Sequence, residues 1–334
     1  MKKLAVIILN WNGRQLLERY LPAAFGFSAD ADCDLIVADN GSDDDSCSFV
    51  ENEYPEVKLL RLERNYGFAG GYNRAIKRLS EIGEYEYVLL LNSDVEVTEG
   101  WWRPLVEFMD SHRDVGAVQP KIRALRHPEM FEYAGAAGGY LDRLWYPYCR
   151  GRLFDSVERD EGQYDGAPAD ICWASGAALL VPRDLYLRLG GLDEAFFAHM
   201  EEIDLCCRIH AAGKRVCCVP GSHVFHYGGA SLSQGSPKKT YLNFRNNLLL
   251  MHKNMPRSKG RRKIFVRMLA DSLAFLMFVV KGDFANGGSI VKAHRDFRRM
   301  KKSYSSFPEK DVVGSLPGSD RRILIDRFLL RKKK

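Results

Sequence analysis

Short, unbroken apolar runs punctuate the first two thirds of this chain: Leu4–Leu9, Leu35–Ala38, Val57–Leu62, Tyr87–Leu91, Val115–Val118, Ala178–Val181 and Val216–Val219. Their length suits strands buried on both faces. Between several of them lie stretches with helical spacing, Gln15–Phe25, Ala69–Leu79 and Trp101–Met109. Strands alternating with helices predict an α/β fold, a mostly parallel sheet between helical layers. In such sheets ligands bind beyond the carboxyl ends of the strands. The residues after each run are therefore where a site belongs, and they are polar. They read Asn10-Trp11-Asn12-Gly13, then Asp39-Asn40-Gly41-Ser42-Asp43-Asp44, then Arg64 through Asn73, then Asn92-Ser93-Asp94-Val95-Glu96. Asx residues and glycines suit any turn, but four such ends in succession would line one crevice.

Each end has a chemistry and a plainer alternative. A carboxylate leaving a buried strand, such as Asp94, is held rigidly, and Glu96 two residues on can point to the same side. Mg²⁺ and Mn²⁺ take one or two carboxylates plus substrate phosphates; the alternative is an ordinary turn. Asp39 can accept hydrogen bonds from a base or ribose. The glycines of Gly67-Phe68-Ala69-Gly70-Gly71 allow close backbone approach, yet their spacing is not G-x-G-x-x-G and they follow the third strand, which argues against a dehydrogenase. Further on, Phe196-Phe197-Ala198-His199-Met200 leads into Glu201-Glu202-Ile203-Asp204. In a first helical turn these carboxylates sit at the positive end of the helix dipole. Beside an apolar wall, one of them can have its pKa raised enough to act as a general base. The segment Arg123–Pro168 shows no clear period and predicts irregular structure with short strands; Trp145, Tyr146 and Tyr148 there fit a satellite core or a sugar-stacking surface.

At 46% hydrophobic and 28% charged, the 334 residues can build a full core as one large domain, or a domain with an appendage. Met1-Lys2-Lys3 opens into a run too short for a signal peptide, which predicts a cytoplasmic protein. The eight cysteines lack C-x-x-C zinc spacing and read as reduced thiols. Charge is uneven. Residues 253–334 hold 22 Lys and Arg against 7 Asp and Glu, whereas residues 1–252 hold 27 against 36. An acidic body with a basic extension points to an anionic partner. In that extension Ile264–Val280 is apolar except for Arg267 and Asp271, which can pair on one helical face. Its uncharged part, Ser272–Val280, is far below the ~20 residues a membrane span needs. Packing on the body or a homodimer partner is one reading, and a helix lying peripherally in the membrane interface is another. No nucleic-acid recognition module is present, so no nucleic-acid partner is expected. Arg321–Lys334 reads as a basic helix or a frayed end.

Taken as an ordered set, these segments resemble the family 2 glycosyltransferases of the GT-A nucleotide-diphospho-sugar transferase fold, nearest the rhamnosyltransferase-like branch that builds bacterial surface polysaccharides. The resemblance rests on Val6–Gly13, Ile36–Ser42, Asn65–Asn73, Leu90–Glu96, Trp173–Ala177, Phe196–Arg208 and His226-Tyr227-Gly228-Gly229-Ala230-Ser231, in order over residues 4–231. It implies a catalytic domain over 1–252, with a nucleotide-binding half to about 120 and an acceptor half after it, then a mostly helical extension over 253–334. It implies that Asp39 reads the nucleotide base, with Trp11, Asn40, Asn65 and Gly70 around the nucleotide. Asp94 would be the surviving acid of a D-x-D metal motif whose first Asp is here Asn92. Glu96 and His226 would complete a Mg²⁺ or Mn²⁺ site. Trp173, Ser175 and Gly176 would face the acceptor and donor sugar. Glu202 inherits the role of general base, with Glu201 and Asp204 as alternatives because the family has Glu-Asp where Glu201-Glu202 stand. The implied reaction is inverting transfer from a dTDP- or UDP-linked sugar to a glycan or lipid-linked acceptor. A nucleotide-sugar-binding protein without catalysis is the competing expectation, suggested by Asn92. A nucleotidyltransferase would need a Gly-rich basic loop after the first strand, which Asn10-Trp11-Asn12-Gly13 is not.

Overall fold

The structure is a computed structural model that describes residues 2–228, 235–305 and 307–330. The chain forms β1 (Lys2–Asn10), α1 (Arg14–Ser28), β2 (Cys33–Asp39), α2 (Ser46–Glu53), β3 (Lys58–Arg61), α3 (Gly67–Arg78), β4 (Tyr85–Asn92), β5 (Val95–Val97), α4 (Arg103–Ser111) and β6 (Val115–Ala124). Four short strands follow, β7 (Gly139–Leu141), β8 (Pro147–Cys149), β9 (Arg152–Leu153) and β10 (Ser156–Val157). Then come β11 (Ala169–Ile171), β12 (Ala178–Pro182), α5 (Arg183–Arg188), α6 (Glu201–Ala211), β13 (Arg215–His226), α7 (Pro237–Asn254), α8 (Arg257–Val280) and α9 (Phe284–Met300).

The main sheet runs β11-β13-β6-β12-β4-β1-β2-β3, with β5 on β13. Strands β3, β2, β1 and β4 are parallel neighbours, and β12 enters antiparallel between β4 and β6. The sheet is thus mixed, its parallel half carrying the alternation seen in the sequence. Period-two placement explains the apolar runs. Along β1, Ala5 and Ile7 join the core on one face, while Leu4, Val6 and Ile8 join the core on the other. All eight cysteines are free thiols, and seven of them are buried.

The segment after β6 folds as the small antiparallel sheet β10-β9-β8-β7. Its aromatics are core. Trp145 is buried, Tyr148 packs with Leu153 and Ile323, and the Arg267 guanidinium lies 3.5 Å from the Tyr146 ring centroid. Trp173 is buried as well; its indole Nε1–H donates to Tyr140 O at 2.9 Å, and its ring lies so close to Gly139 that a Cβ there would sit 2.1 Å from it. The sugar-facing position assigned to Trp173 is therefore corrected: its polar atom is used and its faces are packed.

Helix α7 ties the carboxy-terminal helices to the body. Asn246 Nδ2 donates to Phe196 O, Ala198 O and His199 O, and Arg245 Nη2 donates to Ala195 O and Phe196 O. Arg267 and Asp271 do pair, at 2.8 Å, but on the buried face of α8, where His294 Nε2 of α9 and Asn247 of α7 complete the network. No helix among the described residues is long and apolar enough to cross a membrane.

Candidate active site

Strand register brings the polar ends together. Asn10 at the end of β1 is level with Asp39 on β2, and Leu9 is level with Asn92 on β4. Asn10 Nδ2 donates to Asp39 Oδ1 at 3.0 Å, and the Ser42 hydroxyl and backbone N–H add donations at 2.6 and 3.0 Å. Asp39 is buried and rigid, with the turn after β2 folded around it. Asn40 staples the neighbouring end: its Nδ2 donates to Asn65 Oδ1 and Gly67 O, and its Oδ1 accepts from Tyr66 N. The start of α3 is thus fixed against β2, with Gly70 in a close-packed position where a Cβ would meet Tyr66 and Arg74 at about 3 Å. Trp11 stands at the lip, 55% exposed.

Asp94, in the turn between β4 and β5, lies 3.1 Å from His226 Nε2 at the end of β13. The far ring nitrogen, Nδ1, is 3.6 Å from Glu132 Oε1 and has no hydrogen-bond partner among the described residues. Burial works against charge on this ring, but Asp94 and Glu132 outweigh it and hold His226 up to about 10. Glu132 was not singled out in the sequence. It lies in the aperiodic segment, and only the fold sets it beside the imidazole. Glu96 is half-buried on β5, level with Phe225, and makes no hydrogen bond or ion pair with Asp94 or His226 among the described residues. The second carboxylate beside His226 is thus Glu132 and not Glu96. Of the motif continuing past His226, residues Gly229-Ala230-Ser231 lie outside the described residues.

A short chain of contacts joins this cluster to the acidic helix start. Glu132 accepts from Ala134 N, Ser175 Oγ donates to Ala134 O at 2.7 Å, and Asn92 N donates to Ala177 O at 3.0 Å. Between Ser175 and Ala177, Gly176 faces Glu202: a Cβ on Gly176 would stand 3.7 Å from Glu202 Cβ and 3.4 Å from the Phe68 ring. Register thus puts Asp39 and the Asp94 turn at one edge of the sheet, and Gly176 sets Glu202 beside the loop that meets Asn92.

The acidic segment does begin a helix, α6, at Glu201. Its approach is strained, with Phe197, His199 and Met200 all at positive φ (67°, 67° and 78°). For non-glycine residues each costs roughly 1–3 kcal/mol, and the α7 donors to this loop hold it there. Burial pushes the Glu202 carboxyl up to about 7, against the pull of backbone N–H groups at the helix start. Glu201 is raised well above the ordinary carboxylate range as well, by burial and then by Glu202 beside it. One oxygen of each has no hydrogen-bond partner among the described residues. Glu201 is buried, whereas Glu202 is partly exposed beside Gly176. Asp204 is different. Fully buried, it is bound by Arg208 at 2.8 Å, Lys253 at 2.8 Å and Asn254 at 2.8 Å. The expectation of Asp204 as an alternative base is thereby corrected: it clamps α6 to α7, and its lone pairs are spent.

A divalent cation fits this cluster in part. No group of three His, Cys, Asp or Glu side chains among the described residues is arranged to hold a metal. Asp94 and His226 are nonetheless adjacent hard-cation donors, and sites of this kind are completed by substrate phosphates and water. A cation beside Asp94 would displace the proton that the carboxylates now hold on His226.

Comparison with known proteins points to a family for the first part of the chain. Residues 5–149 match the model for Glycosyl transferase family 2. Over those residues the chain resembles a family 2 glycosyl transferase. Its relatives agree with the rhamnosyltransferase-like branch. It is 28% identical over 234 residues to the N-acetylglucosaminyl-diphospho-decaprenol L-rhamnosyltransferase of Mycobacterium tuberculosis, covering 67% of this chain and 76% of that one. It is 26% identical over 165 residues to the rhamnosyltransferase WbbL of Escherichia coli, covering 48% of this chain and 61% of that one. Among solved structures, S. aureus TarS 1-349 in complex with UDP-GlcNAc superposes with a TM-score of 0.58 at 16% identity, over 88% of this chain and 80% of that one. GalNAc-T7 with UDP, GalNAc and Mn²⁺ superposes with a TM-score of 0.56 at 17% identity, over 75% and 48%. These likenesses establish the GT-A fold.

Proposed function

We propose that the cleft performs an inverting glycosyl transfer, moving a hexose from a dTDP- or UDP-linked donor to a hydroxyl of a glycan or lipid-linked acceptor in surface polysaccharide synthesis. One observation carries the reading: Glu202, pushed up to about 7 and with one oxygen lacking a hydrogen-bond partner among the described residues, stands against Gly176, and on this reading Asp39 and Asp94 border the same cleft. Glu202 accepts the acceptor hydroxyl proton as that oxygen bonds to the anomeric carbon and the nucleoside diphosphate leaves. Asp39, fixed by Asn10 and Ser42, orients the nucleotide, with Trp11 beside it and the Asn40–Asn65 pair holding the start of α3. Gly176, with no side chain of its own, keeps the approach to Glu202 beside Phe68 uncrowded. Asp94 and His226 would hold Mg²⁺ or Mn²⁺, which supplies charge neutralisation for a diphosphate. The donors named in solved neighbours and the lipid-linked substrate named in the mycobacterial relative support these substrate classes.

Calorimetry with UDP and dTDP, with and without Mn²⁺, tests the nucleotide site. Asp94→Asn should weaken Mn²⁺-dependent nucleotide binding by about tenfold or more, leaving metal-free binding little changed. Equal Mn²⁺-dependent affinity in wild type and variant would remove Asp94 from the site.

A further inference from the structure

Helix α8 has one face that the other described residues leave uncovered. Phe265, Leu269, Leu273, Leu276, Met277 and Val280 follow one another at helical spacing and are all at least half exposed, Leu273 at 64% and Val280 at 86%. The opposite face carries the buried Arg267–Asp271 pair and packs on α7 and α9. The exposed stripe continues into Phe284, 69% exposed. Soluble surfaces rarely carry a contiguous apolar stripe without a partner.

Cations bracket the stripe. Lys259, Arg261 and Arg262 are exposed on the first turns of α8, Lys281 closes it, and Arg298 is exposed on neighbouring α9. Beside it, a groove of about 850 Å³ runs between α8 and α9 with Ile264, Met268 and Phe297 inside and Arg257, Lys301 and Lys302 at its edge. We propose that this face seats the protein on an anionic lipid bilayer, with α8 in the interfacial plane and the basic groups among lipid phosphates. Charge selects the lipid over a second copy of this chain. A two-fold contact places the same surface on both partners, so these cations would face like charges across a low-dielectric seam.

The placement also suits the cleft. The carboxy-terminal end of the stripe adjoins the start of α9, where Asn286 binds Thr240 of α7 at 2.6 Å and Gly235 O at 3.0 Å. Lys238, at the same end of α7, lies 5.3 Å from the ring centroid of Phe197, in the loop before Glu202. Docking would bring the loop side of the cleft toward the bilayer, where a lipid-linked hydroxyl is presented.

Co-sedimentation with vesicles tests this without any donor or turnover, so its failure leaves the transferase reading untouched. The full chain should pellet with phosphatidylglycerol-containing vesicles at low salt, and at least about tenfold less with phosphatidylcholine alone or at 0.5 M salt, where the Debye length is only a few ångströms. Leu273→Glu/Leu276→Glu should lower partitioning by about tenfold or more with circular dichroism unchanged, and Arg261→Glu/Arg262→Glu should do the same through the electrostatic arm. A wild-type chain that stays in the supernatant with every vesicle composition overturns the proposal. So does a concentration-dependent dimer, seen by light scattering, that Leu273→Glu/Leu276→Glu abolishes, because the stripe would then belong to a second copy.

Discussion

Glu202→Gln is expected to lower turnover by about 10²–10⁴-fold, equivalent to about 3–5 kcal/mol of barrier, with nucleotide-sugar affinity nearly unchanged. The amide keeps the shape and loses the base. The pH profile supplies a second readout. Below about 7 the wild-type carboxyl holds its proton and cannot accept another, so kcat/KM should rise through that region. The residual activity of the Gln variant should lack this limb. Stability should move the other way. The folded state holds this proton more tightly than the unfolded chain does, so the stabilising contribution is full below the ordinary carboxylate range and gone once pH passes about 7. Gln never ionises. The variant should therefore melt above wild type at pH 8, with the gain absent at pH 4. Equal turnover in variant and wild type would strip Glu202 of the role and leave Glu201 as the remaining candidate at the mouth of α6.

Asp204→Ala should instead destabilise the fold by about 3–5 kcal/mol, as when one partner of a buried ion pair is removed. Arg208 and Lys253 would lose the acid they share, and Asn254 would lose an acceptor. The clamp between α6 and α7 would loosen, while Arg245 and Asn246 still hold the loop before Glu202. Thermal denaturation reads the loss. Turnover per folded molecule, measured well below the melting point, should fall far less than in Glu202→Gln. A variant of wild-type stability but without turnover would return Asp204 to the chemistry.

Particular residues show what the sequence made legible. Asp39 and Asp94 were readable because they follow apolar runs, and parallel register alone carries their ends to one edge. The start of α6 at Glu201 was readable from three acids preceding an apolar stretch. Glu132 was not: its partner His226 is distant in the chain, and the turn that presents it has no period to follow. Asp204 looked like its neighbours because its partners, Lys253 and Asn254, arrive from α7. Trp173 shared a motif with Ser175 and Gly176, and only its packing against Gly139 shows that its ring is core. The positive φ angles at Phe197, His199 and Met200 contradict local preference. They exist because Arg245 and Asn246 take up the carbonyls of that loop, which places the strain beside the cleft.

The stereochemistry of the product tests the account most directly. Wild-type protein, a UDP- or dTDP-sugar, Mn²⁺ and an acceptor glycan, followed by NMR at the anomeric proton, should release nucleoside diphosphate and yield a linkage of opposite anomeric configuration to the donor. A linkage that keeps the donor's configuration, or a donor that binds tightly yet is never consumed with any acceptor, would contradict a single cleft in which Asp39, Asp94 and Glu202 act together.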